Sequence, residues 1–271
     1  MNRKLKWLVY AFLILIILVM ICVFTGSTYY HSLLLESAIK KNNLDKTVAI
    51  ITKYPETINH LPTIMPRWWR VVCDYDHTVM YPLNHACSLG DIEIVRALLD
   101  HGADIREGLF IIVCEGFPES SADIAFLLIE YGADINEVDK WGDIAIKSCV
   151  ILRKSTSKEK QEKLQELFDY LLDNCELSEA NFTDVFVYCG AFGNLYAANK
   201  LLLGGYVDIN CMDIYGRTAL IHAASSSKND MVIYLLSNGA DKDIKDQYGK
   251  SAYDYALEYD HMETAELLRV D

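Results

Sequence analysis

The sequence predicts an all-α protein, a solenoid of repeated helical units preceded by one N-terminal transmembrane helix. Three observations carry this. A pattern of aspartates and glycines recurs with a constant period, apolar residues inside one unit fall at helical spacing and stop at a glycine, and residues 7–24 form an unbroken uncharged run. With 271 residues, 52% of them hydrophobic and only 5 Pro, the chain has the apolar material for a packed core.

The N-terminal element comes first. Trp7 to Phe24, WLVYAFLILIILVMICVF, carries no charge, and as a helix it would measure about 27 Å, close to the hydrocarbon thickness of a bilayer. Arg3, Lys4 and Lys6 precede it, whereas Thr25 to Glu36 holds no Lys or Arg. The positive-inside bias therefore leaves residues 1–6 in the cytoplasm and sends the bulk outward through a linker at 25–31. A cleaved secretory signal is the competing reading, but its apolar part is usually shorter and no small-x-small pair stands before Ser27. A lipoprotein signal would need a small residue before Cys22, and Ile21 is there.

The repeat follows. Asp208-Ile209-Asn210, Asp213 and Gly216 return one period later as Asp241-Lys242-Asp243, Asp246 and Gly249. Asp134-Ile135-Asn136, Asp139 and Gly142 keep the same internal spacing. The interval from Gly142 to Gly216 is two periods with a short surplus, which the charged stretch 153–163 takes as an enlarged loop between paired helices. Within the unit Tyr81 to Ile105, Pro82 suits a first helical position and Gly90 a left-handed helix stop. Asp91 can cap the next helix, whose Ile92, Val95, Leu98 and Leu99 form one apolar stripe. Gly102, Gly132 and Gly239 close the second helices of their units.

These residues resemble the ankyrin repeat family. The Gly-Ala-Asp triplets at Gly102, Gly132 and Gly239, the Pro-Leu and Ala-Leu starts at Pro82 and Ala219, and the Asp-x-x-Gly turns are its signature. The resemblance implies antiparallel helix pairs stacked side by side with projecting β-turn fingers, over about seven units from residue 32 to 271. The sequence departs from the family in five places. Asn84 and Ile221 replace a helix-start His, Gly204-Gly205-Tyr206 adds a residue, the finger between Asp104 and Leu109 is short, and residues 60–78 are an insertion containing Trp68 and Trp69.

Charge and motif exclude several functions. There are 25 Lys and Arg against 38 Asp and Glu, a net charge of −13. Setting aside Arg3, Lys4 and Lys6 leaves 22 against 38, so the remainder stands at −16. Such a surface repels phosphate backbones and anionic headgroups, which argues against nucleic-acid binding and favours a basic protein partner. No Gly-rich phosphate loop, nucleophile elbow or His-x-x-x-His helix is present, so neither an enzyme nor a metal or cofactor site is expected. Cys87, Cys114, Cys149 and Cys189 fall at the small position of successive first helices and read as buried thiols. Cys73, Cys175 and Cys211 lie in loops, where one pair could bridge.

The site expected is a docking surface. Trp141, Tyr215 and Tyr248 each precede a turn glycine, and three such aromatics in register would make an exposed ladder. Asp139, Asp213, Asp243, Asp246 and Arg217 lie beside them. The alternative is that the rings pack between fingers. Trp68 and Trp69 form a second candidate patch, with contact to the bilayer as one of its readings. The resemblance to small membrane-anchored bacterial ankyrin proteins implies an immunity-type role. The chain would be monomeric when free, anchored in the inner membrane and facing the periplasm, and would occlude a basic-rimmed effector such as a secreted phospholipase. An envelope adaptor and a cytoplasm-facing scaffold remain the other readings.

Overall fold

The computed structural model describes residues 28–60 apart from Tyr29, 81–114 apart from Glu107, 121–151 apart from Lys140 and Trp141, and 157–269. The span expected at Trp7–Phe24 and the patch at Trp68 and Trp69 lie outside the described residues. Among the described residues no helix is long and apolar enough to cross a membrane. The chain divides into two compact units, Met1–Ile105 and Arg106–Asp271.

The first unit holds α1 (30–40), α2 (Leu44–Lys53), a 3-10 turn (Pro55–Thr57), α3 (Pro82–Leu89) and α4 (Ile92–Asp100). Its boundaries follow from local chemistry. The Lys46 N–H donates to the Asn43 side chain at the start of α2. Pro82 opens α3, where its missing N–H costs nothing. Gly90 ends that helix at φ 79°, a left-handed conformation in which its N–H reaches the carbonyls of Ala86 and Cys87. Asp91 then accepts from the N–H groups of Glu93 and Ile94. Leu35, Ile39, Ile51, Leu83, Ile94 and Leu98 are fully buried. Asn59 links successive turns, since its amide donates to the Gly102 carbonyl and its oxygen accepts the Asp104 N–H.

The second unit is a row of helix pairs. Its first helices are α5 (Leu109–Cys114), α7 (Ala145–Ser148), α9 (Glu179–Phe192), α11 (Ala219–Ser225) and α13 (Ala252–Glu258). Its second helices are α6 (Ser121–Glu130), α8 (Lys158–Asn174), α10 (Leu195–Leu203), α12 (Asn229–Ser237) and α14 (Met262–Arg269). Each first helix packs on the next first helix as well as on its own partner, which is how repeats bury a continuous core. Phe110, Ile124, Ile146, Phe168 and Phe186 are the large side chains inside. The closest approach is at Gly190 on α9, where a Cβ would stand 2.3 Å from the Ala219 carbonyl oxygen at the start of α11.

Two expectations need correction. The stretch 153–163 is not all loop. Ser157 caps a helix that already includes Lys158 to Lys163, because its hydroxyl accepts the Lys160 N–H, Leu164 is buried, and Lys163 reaches Asp123 on α6 at 2.6 Å. The charges read as a loop are the solvated face of α8, with Lys158 and Glu162 paired one turn apart. The row of fingers is also interrupted. Fingers are present at 134–143, 208–217 and 241–250, the first two carrying the bridges Val138 to Ile144 and Met212 to Thr218. Between α8 and α9 the chain passes directly through Cys175 to Ser178, with no finger.

Candidate partner-docking surface

Each finger is built on its aspartate. In the finger 241–250, Asp246 Oδ1 accepts the N–H groups of Tyr248 and Lys250, and the Gly249 N–H closes the turn onto the Asp246 carbonyl. Asp213 does the same for Tyr215 and Arg217, and Asp139 accepts the Asp143 N–H. These carboxylates organise the turns, as an Asx side chain does wherever its oxygen can reach N–H groups ahead of it.

The second carboxylate oxygens of Asp213 and Asp246 point to the first helices, which corrects the expectation of an acidic docking strip. Asp246 Oδ2 accepts the Tyr255 hydroxyl at 2.6 Å and the Arg217 Nε at 3.4 Å, and its side chain is wholly buried. Burial alone would push this carboxyl up. The Tyr255 hydroxyl, the N–H groups of Lys250 and Tyr248 and the Arg217 guanidinium together hold it below its usual range. Arg217 also donates to the Tyr255 oxygen at 3.1 Å and lies over the Tyr215 and Tyr255 rings, so it ties two fingers together instead of facing solvent. Asp213 Oδ2 meets His222 Nε2 at 2.9 Å, nine positions on as in the Asp246 and Tyr255 pair. Asp243, by contrast, is open to solvent. Its N–H donates to the Asp241 side chain.

The aromatic expectation fares differently. Tyr215 is 46% and Tyr248 64% exposed. They sit on adjacent fingers joined by the Gln247 N–H, which donates to the Tyr215 carbonyl. Trp141 lies outside the described residues, and its finger is separated from the Tyr215 finger by the repeat that has none. Three residues went unforeseen: Ile214 at 85%, Met212 at 52% and Val138 at 52% exposure. Their signal is in the sequence, since they flank the turn aspartates Asp139 and Asp213, and the positions on either side of such an aspartate project outward whatever occupies them.

One contact crosses between repeats at the start of α5. The finger after Asp104 is short, and Glu137 from the following finger accepts the Gly108 N–H at 3.2 Å. Burial raises the Glu137 carboxyl, and the N–H groups of Gly108, Ile111 and Phe110 only partly offset it. Away from the fingers, a cavity of about 220 Å³ lies between α8 and the start of α10, lined by Cys149, Gln161, Leu164, Phe168 and Tyr196 among others. Cys87, Cys114, Cys149 and Cys189 are buried free thiols, and Cys175 and Cys211 are also unbridged. Burial pushes Cys87 up to about 12 and Cys175 and Cys211 to about 11, which keeps them protonated near neutrality. Among the described residues no three His, Cys, Asp or Glu are grouped to hold a metal ion.

Residues 186–271 match the family model for ankyrin repeats in three copies, and residues 80–107 match that for a single ankyrin repeat. Among curated proteins, the chain is 32% identical over 136 residues to the ankyrin repeat protein nuc-2 of Neurospora crassa, covering 41% of this chain and 12% of that one. It is 25% identical to the ankyrin repeat protein FPV018 of Fowlpox virus, over 87% of this chain and 42% of the other. An L-asparaginase of Dirofilaria immitis matches at 27% over 59% of this chain and 26% of its own length. The chain thus spans less than half the length of each of these relatives.

Proposed function

We propose that this chain, which carries ankyrin repeats at 80–107 and 186–271, is a protein-binding module that docks its partner through the finger tips. The observation that supports this most is the apolar row Met212, Ile214, Tyr215 and Tyr248, held in solvent on turns whose aspartates are already satisfied. Exposed aromatic and aliphatic groups on a stiff frame bury large area with little loss of rotamer entropy. Binding, and no chemistry, is the reading: the recurring carboxylates serve the turns, and Cys87, Cys175 and Cys211 stay protonated.

The finer proposal is an immunity-type inhibitor. Anchored through residues 7–24 in the inner membrane and facing the periplasm, it would cover the active-site entrance of a toxic effector such as a secreted phospholipase. The net charge of −13 suits a binder that must meet a basic-rimmed toxin quickly. Capture of a hydrolase from the same organism, with its activity falling on mixing, is the expected result, whereas a captured partner that is harmless by itself points to an adaptor. Alkaline phosphatase fused after Asp271 should be active, and activity only of a cytoplasmic reporter defeats the topology. Ile214→Ala, Tyr215→Ala and Tyr248→Ala should each weaken the complex by about 2 kcal/mol, and unchanged affinity in the triple variant rules out docking at the tips.

A further inference from the structure

We infer that the place of the absent finger is a seat for a basic β-turn of the partner protein, which would insert between the fingers 134–143 and 208–217 and complete the row. This rests on the protein-binding reading and adds where and what the partner inserts.

The two neighbouring fingers that are both present show what such a seat looks like when filled. A Cβ added at Gly216 would stand 3.3 Å from the Gln247 nitrogen and 3.4 Å from the Asp246 Cα, so the finger 241–250 lies directly against that glycine. The Gln247 N–H donates to the Tyr215 carbonyl at 3.0 Å across the join. Gly142 is the counterpart of Gly216 one finger earlier in the row, with the same left-handed backbone, and a Cβ there would meet nothing within 4 Å. Ile214 is the counterpart of Gln247 one period upstream, and its N–H has no acceptor among the described residues. Among the described residues, one side of the seat is vacant and the other offers an unused backbone donor.

The lower part of the seat is already occupied. The helix α9 begins early, Phe182 stacks on Tyr206 at 4.8 Å, and Thr183 lies beside the Cys211 thiol. The Glu176 N–H donates to Asn136 just as the Asp241 N–H donates to Asn210. What is missing is the turn at tip level. A segment entering there pairs backbone to backbone, as an added strand does at a sheet edge, and lays apolar side chains against Val138, Met212 and Ile214.

Charge selects the occupant. The finger 241–250 carries three Asp and three Lys, so that the join it makes is balanced. Around the seat, residues 134–143, 174–184 and 208–217 carry nine Asp and Glu against Lys140 and Arg217. Asp143 stands where Arg217 stands in the filled join, and Lys147, the nearest cation on α7, is already bound to Asp143 and stacked over the Tyr188 ring. A turn rich in Lys or Arg is complementary, and an acidic one is repelled.

The test uses the full chain and two synthetic probes made from its own finger. Both are head-to-tail cyclised copies of residues 241–250, one made cationic by Asp241→Lys and Asp243→Lys, the other anionic by Lys242→Glu and Lys245→Glu. Calorimetry should show the cationic probe binding one to one, with the anionic probe at least about tenfold weaker. Against Ile214→Ala, which also lacks the isoleucine side chain but keeps the N–H, Ile214→Pro removes the open N–H at a turn position where proline is well accommodated. It should weaken the cationic probe about fivefold to tenfold, with the circular dichroism spectrum unchanged. Met262→Ala, on the exposed side of α14, should leave the probe's affinity as it was. No binding, equal binding of both probes, the same affinity in Ile214→Pro as in Ile214→Ala, or self-association of the chain across this seat overturns the inference. If the probes fail while the triple tip variant still loses its partner, the seat is wrong and the docking surface stands.

Discussion

Asp246 shows how one side chain can be read correctly in kind and wrongly in role. Its recurrence identified a turn, but the sequence holds no sign of the second oxygen, which reaches Tyr255 and Arg217 across residues nine and twenty-nine positions away. Removing that carboxylate strands a buried hydroxyl and a half-buried guanidinium, so Asp246→Asn should cost about 2 kcal/mol at neutral pH in denaturant titration. The pH dependence has a definite sign. The folded chain holds this carboxyl below the ordinary value of about 3.9, so the unfolded chain takes up the proton first. The stabilisation is complete above that value and is lost as pH falls through the folded-state value, so the gap between wild type and variant should close in acid. A gap that stays constant from neutrality to about pH 2, well below the ordinary value, would mean that the carboxylate charge contributes nothing. Glu137 was illegible for the same reason: a contact supplied from the next repeat leaves no mark in the helix it serves.

Elements were legible where their ends are local. Gly90, Asp91, Gly132 and Gly239 terminate or start helices by their own backbone and side chains, and each was read from the sequence. The absent finger was not, because the interval from Gly142 to Gly216 records only the net length. An extended α8 and an early α9 add residues, a deleted finger removes them, and the sum looks like one modest loop. The glycines separate the two cases. Gly142→Ala should cost about 1 kcal/mol, the strain of a left-handed alanine with open space around it. Gly216→Ala carries that strain and also presses on the backbone of the next finger, so it should cost about 1 kcal/mol more. Equal losses in thermal melts would place a neighbour against Gly142. Gly190→Ala is the severest of the three, since its Cβ would overlap the Ala219 carbonyl and push α9 from α11, at a cost of about 3 kcal/mol.

At the scale of the molecule, the net charge of −13 gave the first expectation of a partner, and the structure moves that charge. The turn aspartates at 213 and 246 are spent on N–H groups, His222, Tyr255 and Arg217, leaving the tips apolar and a surplus of acid gathered near the absent finger. The helix pairs of the second unit pack on their neighbours in the row, α9 on α11 and α11 on α13, and in such an arrangement stability is a sum of repeat and nearest-neighbour contributions. Weakening the last join should then be felt nearby and fade with distance. In Asp246→Asn, amides of α13 and α14 should exchange about tenfold to thirtyfold faster, the equivalent of about 2 kcal/mol of lost protection. Amides of α11 and α12 should be affected less, and those of α5 and α6 should exchange at the wild-type rate. Hydrogen exchange read by mass spectrometry resolves these segments. A uniform acceleration from α5 to α14 would make the row a single cooperative body, and a partner's hold on its finger tips would then stiffen every repeat at once, with no gradient along it.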